Sequence, residues 1–205
     1  MTERIDAIID LEWSLFDQVE NEGGRASCQN DPRAFRAMRA SQFAVWPEEL
    51  LESYHGDLKE AIAAGRNPLA EKYAFMMAST SPEAFREMED MLPRLSPAAL
   101  ADVESIVAAN VAWEREVDAA FPAVRAGGRP LTSAEDTPWA TSFETYLRGE
   151  LKTYSARTLA LYAAFTRACS AAGRNLAREN AENIVRAHGY ASLEAAEAAR
   201  ATKRR

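Results

Sequence analysis

Apolar residues recur along this chain at intervals of three and four positions, which is the spacing of one face of an α-helix. In the first segment the apolar stripe contains Ile5, Ile8, Ile9, Trp13 and Phe16. Alternation of apolar and polar residues never extends beyond a few positions, so the pattern predicts no β-strand. We therefore expect an all-α fold.

Capping residues followed by proline mark the expected helix starts. Asp31-Pro32, Asn67-Pro68, Ser81-Pro82 and Ser96-Pro97 each join a favoured N-cap residue to a proline suited to the first helical turn. Together with the apolar periods, these signals predict a bundle of roughly seven to nine helices. The predicted ranges are 3–20, 32–44, 47–64, 68–79, 82–91, 97–120, 140–172, 175–188 and 192–201.

The length of 205 residues suits one well-buried core, so we expect a single α-helical domain over 1–205, with 198–205 as a frayed tail. Two glycine-containing segments, 21–30 and 122–138, are predicted to be loops. The second is long for a compact domain, and loops of that length are often lids.

The balance of charge narrows the classes of partner. The chain has 24 basic and 31 acidic residues and a net charge of −7, which argues against nucleic acid because phosphate binding needs a basic surface. No stretch approaches the roughly 20 apolar residues of a membrane span, and the first residues lack the pattern of a signal peptide. We expect a cytoplasmic protein with no membrane partner, whose two cysteines, Cys28 and Cys169, are reduced. The sequence does not indicate whether the protein is a monomer or an oligomer.

Three carboxylates occupy positions within apolar stripes. Glu12 lies in the middle of the first stripe, Glu114 lies among the apolar residues of 97–120, and Glu150 lies on the stripe of the segment that starts at Ser142. A carboxylate in an apolar interior must find partners or shift its pKa. Because the stripes of one bundle face one core, we expect the three groups to approach a common interior region.

A polar pocket inside the bundle is the leading functional hypothesis. Glu12, Glu114 and Glu150 are candidates for proton transfer, since burial can raise a carboxyl pKa toward neutrality. Arg39 and Arg148 would hold an anionic group of a small polar substrate through their planar guanidinium groups. The other candidate substrate-binding residues are Tyr54, Tyr154 and Glu144. A lyase, an isomerase and a hydrolase all fit this pattern.

Two other interpretations use the same residues. The polar pocket could belong to a non-catalytic module that binds a small molecule or a protein. Alternatively, the carboxylates, arginines and tyrosines could form a buried ion-pair network that only fixes the register of the helices. An enzyme needs at least one carboxylate for turnover but not for binding, which distinguishes it from a binding module.

The cofactor remains unknown from sequence, because no haem, nucleotide or zinc motif is present. His55 and His188 are the only histidines, so the paired Glu-x-x-His pattern of di-iron and di-manganese bundles is not expected. Gly23-Gly24-Arg25 follows no predicted strand and is not a phosphate-binding loop. A divalent metal bound by carboxylates alone stays open, and Cys28 has no neighbouring signature of a catalytic base.

Several sequence blocks carry a resemblance to a known family. They are Leu11-Glu12-Trp13, the run Asn-Glu-Gly-Gly-Arg-Ala-Ser-Cys-Gln over 21–29, Glu71-Lys72-Tyr73 with Met76-Met77, the run 144–151, and Thr153-Tyr154-Ser155. On these blocks the chain resembles, over nearly its whole length, the bacterial and archaeal family catalogued as domain of unknown function 4125. The resemblance implies a stand-alone small protein and carries no activity, cofactor or catalytic residue to any position.

Overall fold

The computed structural model describes residues 2–20 and 24–203, and within them the chain forms eleven α-helices, three short 3-10 helices and no β-strand. This confirms the all-α prediction. The α-helices are α1 Thr2–Phe16, α2 Pro32–Phe43, α3 Glu48–Ala63, α4 Pro68–Thr80, α5 Pro82–Met88, α6 Pro97–Ala120, α7 Pro122–Arg125, α8 Phe143–Leu151, α9 Ala156–Ala171, α10 Leu176–Ala187 and α11 Leu193–Lys203.

The described residues contain more helices than the seven to nine predicted, for two reasons. The segment 140–172, predicted as one helix, is divided into α8 and α9. At the division Ser155 accepts a hydrogen bond from the Thr158 amide, and the Ser155 amide donates to Asp57. These bonds cap a new helix where the apolar period alone predicts continuation. In addition, the predicted loop 122–138 begins with the short helix α7.

Some predicted boundaries also move. The first helix ends at Phe16 rather than at residue 20. The last helix extends to Lys203, so 198–203 of the expected frayed tail is helical, while Arg204 and Arg205 lie outside the described residues. Of the predicted loop 21–30, residues 21–23 likewise lie outside them.

Three of the four predicted N-caps form capping hydrogen bonds. The side chain of Asp31 accepts from the Ala34 amide, Asn67 accepts from two amides of α4, and Ser96 accepts from the Ala99 amide. Ser81 precedes α5 without such a bond. Local sequence therefore determines where α2, α4 and α6 begin.

The helices enclose two apolar clusters. The larger cluster lies among α1, α2, α3, α4, α6, α8 and α9 and includes Ile8, Phe43, Leu51 and Leu159, all of which are fully buried. The smaller cluster joins α6 to α10 and α11 around Trp113 and Val185. Among the described residues, no helix combines the length and the apolar character that a membrane crossing requires.

Helix α8 packs on α4 and α6, and Gly149 of α8 lies against α4. A Cβ atom at Gly149 would lie 2.9 Å from the carbonyl oxygen of Lys72 and 3.0 Å from Cγ of Met76. The Lys72 oxygen belongs to the backbone and cannot rotate away. Glycine at this position therefore sets the distance between α4 and α8.

We expect Gly149→Ala to destabilise the protein by about 1–3 kcal/mol, because the added methyl group must push α8 away from α4. The measurement is urea denaturation followed by circular dichroism. Gly56→Ala is the matched control, because Gly56 lies in α3 and a Cβ there meets no atom within 4 Å. The control should be neutral or stabilising by up to about 1 kcal/mol. Equal losses in both variants would contradict the close-approach explanation.

Candidate functional site

Arg39 lies at the centre of a buried polar cluster. It extends from α2 and is 7% exposed. Its Nε donates to Oε2 of Glu12 on α1 at 2.7 Å, and its Nη2 donates to the other oxygen of Glu12. Its Nη1 donates to Oε1 of Glu150 on α8 at 3.1 Å and to Gln42 at 2.7 Å. One guanidinium group thus connects the first, second and eighth helices.

Lys72 supplies a second buried cation. It belongs to α4 and is 2% exposed. Its Nζ donates to Oε2 of Glu150 at 2.6 Å and lies 3.5 Å from the centre of the Tyr146 ring. Glu12, Arg39, Lys72 and Glu150, called here the buried quartet, contain two formal negative and two formal positive charges. This balance is what a buried ionic cluster needs.

Two tyrosines complete the hydrogen bonding of the carboxylates. The hydroxyl of Tyr54 donates to Glu12 at 2.6 Å, and that of Tyr154 donates to Glu150 at 2.9 Å. Their ring centres lie 4.7 Å apart. Burial raises the pKa of both phenols, and the adjacent carboxylate charges raise them further. Both hydroxyls therefore remain hydrogen-bond donors at neutral pH.

The pKa of Glu150 moves in the direction opposite to the expected one. Burial by itself raises it, but the charges of Arg39 and Lys72 outweigh burial and hold the pKa well below its ordinary range. Burial lowers the pKa of Arg39, and the charges of Glu12 and Glu150 reverse this and leave it well above its ordinary value. Glu150 and Arg39 are therefore both ionised at neutral pH.

Glu114 does not join the quartet. It lies on α6 and forms an ion pair with Arg125 at 2.9 Å. Burial raises its pKa, while the charge of Arg125 opposes the rise. Glu114 and Glu150 line the same small cavity. The structure thus brings Glu12 and Glu150 together through Arg39 and places Glu114 across a cavity from Glu150.

Arg148 and Glu144 lie apart from the quartet. Arg148 donates to both carboxylate oxygens of Glu104 at 2.8 and 2.9 Å and to Glu144 at 2.8 Å. Glu144 also accepts from the Ser133 amide. Residues two positions apart on a helix point in nearly opposite directions, so Arg148 faces away from the side of α8 that carries Glu150. The structure therefore does not bring Arg148 and Arg39 together: Arg148 binds Glu104 and Glu144, and Arg39 binds Glu12 and Glu150.

Lys72 is the residue of the buried quartet that the sequence analysis missed, and Arg129 was not among its candidates either. Lys72 follows Leu69 by three positions and precedes Met76 by four, so it lies on the buried stripe of α4. The argument that selected the three glutamates, a charge within an apolar stripe, also applies to this lysine.

An open pocket of about 400 Å³ lies beside the quartet. Arg39, Lys72 and Arg129 contribute cationic side chains to its lining, and Asp31 contributes one carboxylate. Arg129 lies 4.6 Å from the centre of the Tyr146 ring and forms no ion pair within the described ranges. The apolar and aromatic walls are Phe16, Phe35, Met38, Leu69, Tyr73 and Tyr146. We call this space the Arg39 pocket.

The turn after α1 brings a thiol to the Arg39 pocket. Gln29 is buried, and its Nε2 donates to the backbone oxygens of Phe16 at 2.8 Å and Val19 at 2.9 Å. These bonds attach the 3-10 helix Ser27–Asn30 to the end of α1. Cys28 in this turn lines the pocket and is exposed, whereas Cys169 is buried.

Metal-binding groups are not clustered in the part of the chain that the structure describes. Within it, no three His, Cys, Asp or Glu side chains lie close enough to hold a metal ion. Glu52 and His55 have the Glu-x-x-His spacing on α3, but Glu52 is exposed. No third His, Cys, Asp or Glu of the described residues lies close enough to complete a metal site with them.

Comparison with known proteins gives a family and no activity. The family described as "Protein of unknown function (DUF4125)" matches residues 2–198. No curated protein and no solved structure matches the chain. The chemistry of the site must therefore be argued from its geometry.

Proposed function

The chain belongs to the DUF4125 family, and since that description states no activity, we propose from the site that the Arg39 pocket binds a small anionic molecule with an apolar or aromatic body. The supporting observation is the union of three cationic side chains and aromatic walls around about 400 Å³. Small-molecule sites typically enclose about 300–1,000 Å³, with a few polar groups in an apolar lining.

The two buried cations retain donors for such a ligand. Arg39 uses four of its N–H groups in the bonds to Glu12, Glu150 and Gln42, and a guanidinium group has five. Lys72 uses one of its three N–H groups on Glu150. Arg129 adds a charge with no carboxylate partner among the described residues. Carboxylate and phosphate oxygens are the acceptors that match these donors.

In this proposal Glu12 and Glu150 position the cations and do not transfer protons. Both are buried and bound by Arg39, and Glu150 is held ionised by two cations. Such a carboxylate offsets the free energy of burying Arg39 and Lys72, so the cationic groups are in place before a ligand arrives. Tyr54 and Tyr154 hold the carboxylates from behind and are not part of the pocket lining.

We expect Arg129→Gln to weaken binding of phenyl phosphate about tenfold or more, since a charge-assisted hydrogen bond contributes about 1.5–3 kcal/mol. Arg129 is exposed, and its contacts among the described residues are the Tyr146 ring and a hydrogen bond to the Thr141 carbonyl, so its loss should change stability by no more than about 1 kcal/mol. Isothermal titration calorimetry measures the affinity. The control is Arg115→Gln, which removes an exposed arginine of α6 away from the pocket.

The rate of Cys28 alkylation provides a second measurement of ligand binding in the Arg39 pocket. Because Cys28 is exposed in the pocket and Cys169 is buried, iodoacetamide should alkylate Cys28 first. Bound phenyl phosphate should slow that alkylation in the wild type and much less in Arg129→Gln. The proposed function would be abandoned if phenyl phosphate and benzoate neither bind the wild type nor protect Cys28.

A further inference from the structure

A second, smaller cavity lies on the other side of Tyr146, which lines both spaces. It measures about 90 Å³ and is bordered by α2, α6, α8 and α10. On this measure one water needs about 10–15 Å³. The cavity therefore has room for a group of a few non-hydrogen atoms.

Three side chains with hydrogen-bond acceptors line this cavity, and the acceptor of one of them, Asn180, has no donor among the described residues. Oδ1 of Asn180 is buried and has no hydrogen-bond partner within the described ranges. Asn110 uses its Nδ2 on the Ile106 carbonyl, and no described residue donates to its Oδ1. The Glu114 carboxylate pairs with the Arg125 charge but accepts no hydrogen bond from the described part of the chain. A buried acceptor without a donor, such as Oδ1 of Asn180, destabilises a fold, so this group of acceptors suits a ligand rich in N–H.

The charge around the cavity also favours a cation. Arg125 is shared between Glu114 and Asp118, at 2.9 and 2.5 Å. Two carboxylates against one guanidinium group leave one formal negative charge beside the cavity. On the opposite wall, Glu150 is already neutralised by Arg39 and Lys72. Glu114 thus remains the carboxylate available to a bound cation.

The remaining walls are aromatic. Trp46, Phe143, Tyr146 and Tyr162 line the cavity, and the ring centres of Trp46 and Tyr162 lie 4.9 Å apart. Aromatic faces attract cations, and more strongly where water is excluded. A lining of this kind accepts an alkylated ammonium better than a strongly hydrated metal ion.

We propose that this cavity is a binding site for a primary ammonium group, whose three N–H groups are accepted by Asn110, Glu114 and Asn180. The site is separate from the Arg39 pocket and of opposite charge preference, so it does not depend on the proposed function. An amine of a few non-hydrogen atoms is the ligand class that fits the volume.

Methylammonium chloride is the probe. At constant ionic strength it should raise the melting temperature of the wild-type protein. Sodium, potassium and tetramethylammonium chloride should not raise it, because none of these three cations has an N–H group to donate. An equal effect of potassium would overturn the ammonium assignment, and an effect no larger than that of sodium would overturn the site.

Matched variants locate the binding. Glu114→Gln and Asn180→Leu should each weaken methylammonium binding about tenfold or more. Glu116→Gln is the control, because Glu116 is an exposed carboxylate of the same helix that does not line the cavity, and glutamine keeps an acceptor for its hydrogen bond from Asn175. If Glu114→Gln fails to fold, the methylammonium affinity of Asn180→Leu alone tests the proposal. Wild-type affinity in Asn180→Leu would refute the proposal, and titration with phenyl phosphate tests the Arg39 pocket separately.

Discussion

Glu150→Gln is expected to lower the free energy of unfolding by about 3–5 kcal/mol at neutral pH, which is a large part of the stability of a domain. The substitution keeps the shape of the side chain and removes its charge. Lys72 loses its only ion-pair partner among the described residues, and Arg39 loses one of two. Urea denaturation of both proteins gives the difference.

Glu104→Gln is the appropriate comparison. Glu104 binds Arg148 with good geometry, but its side chain is 55% exposed. An exposed ion pair contributes roughly 0–1 kcal/mol because water and salt screen it. A loss in Glu150→Gln as small as that in Glu104→Gln would show that the buried quartet does not stabilise the fold.

The pH dependence of this difference follows from the lowered pKa of Glu150. A carboxyl group whose pKa is lower in the folded state stabilises the protein above its unfolded pKa of about 4.3, and the contribution is lost as the pH falls from there toward the folded pKa. The wild type and Glu150→Gln should therefore converge in stability as the solution becomes acidic. A difference that stays constant from neutral pH into strong acid would argue against ionised Glu150 as its cause.

The affinity of folded Glu150→Gln for phenyl phosphate shows whether Glu150 positions the cations of the Arg39 pocket or only stabilises helix packing. If Glu150 positions Lys72 and Arg39, the folded Glu150→Gln protein should bind phenyl phosphate more weakly than the wild type. If the quartet only fixes the helices, the affinity of the surviving folded molecules should be unchanged. Unchanged affinity would remove Glu150 from the functional site.

Arg39→Met should destabilise the protein by about 3–5 kcal/mol as well, because it leaves Glu12 fully buried with Tyr54 as its remaining hydrogen-bond donor among the described residues. Adding Glu12→Gln should recover part of this loss, since the double variant no longer contains the unpaired buried charge. The two substitutions should therefore be non-additive by about 0.5–3 kcal/mol in a double-mutant cycle.

The control cycle combines Glu12→Gln with Arg36→Met. Arg36 also lies on α2, but it is exposed and binds Asp6 and Asp10 at the surface. The effects of these two substitutions should add, because they share no partner. Additive losses in the Arg39 cycle too would contradict a direct interaction between Arg39 and Glu12.

Local sequence predicts the fold class and many helix starts because capping is a short-range interaction. Asp31, Asn67 and Ser96 cap α2, α4 and α6 as expected. The division at Ser155 is harder to predict, because it also depends on Asp57, which is distant in the sequence and accepts the Ser155 amide. Apolar periodicity continues across the division and gives no sign of it.

For the site, the sequence identifies inward charges but not their partners. Glu12 and Glu150 are recognisable from their places in apolar stripes, and their convergence on Arg39 depends on how α1, α2 and α8 pack. Arg148 is close to Glu150 in sequence, which suggests a shared site. The two residues are two positions apart on α8, however, so their side chains lie on different faces of the helix. The direction of the Glu150 pKa also depends on tertiary contacts, since two cations from other helices reverse the effect of burial.

The spacing of the quartet along the chain orders its assembly during synthesis. Glu12, Arg39 and Lys72 leave the ribosome long before Glu150, which lies 111 positions beyond Arg39. Until α8 docks, the ammonium group of Lys72 has no carboxylate from that helix, and removing it from water is costly. Lys72 should therefore stay hydrated until α8 has been synthesised. We therefore expect the core around Lys72 to close only in a chain that extends through α8.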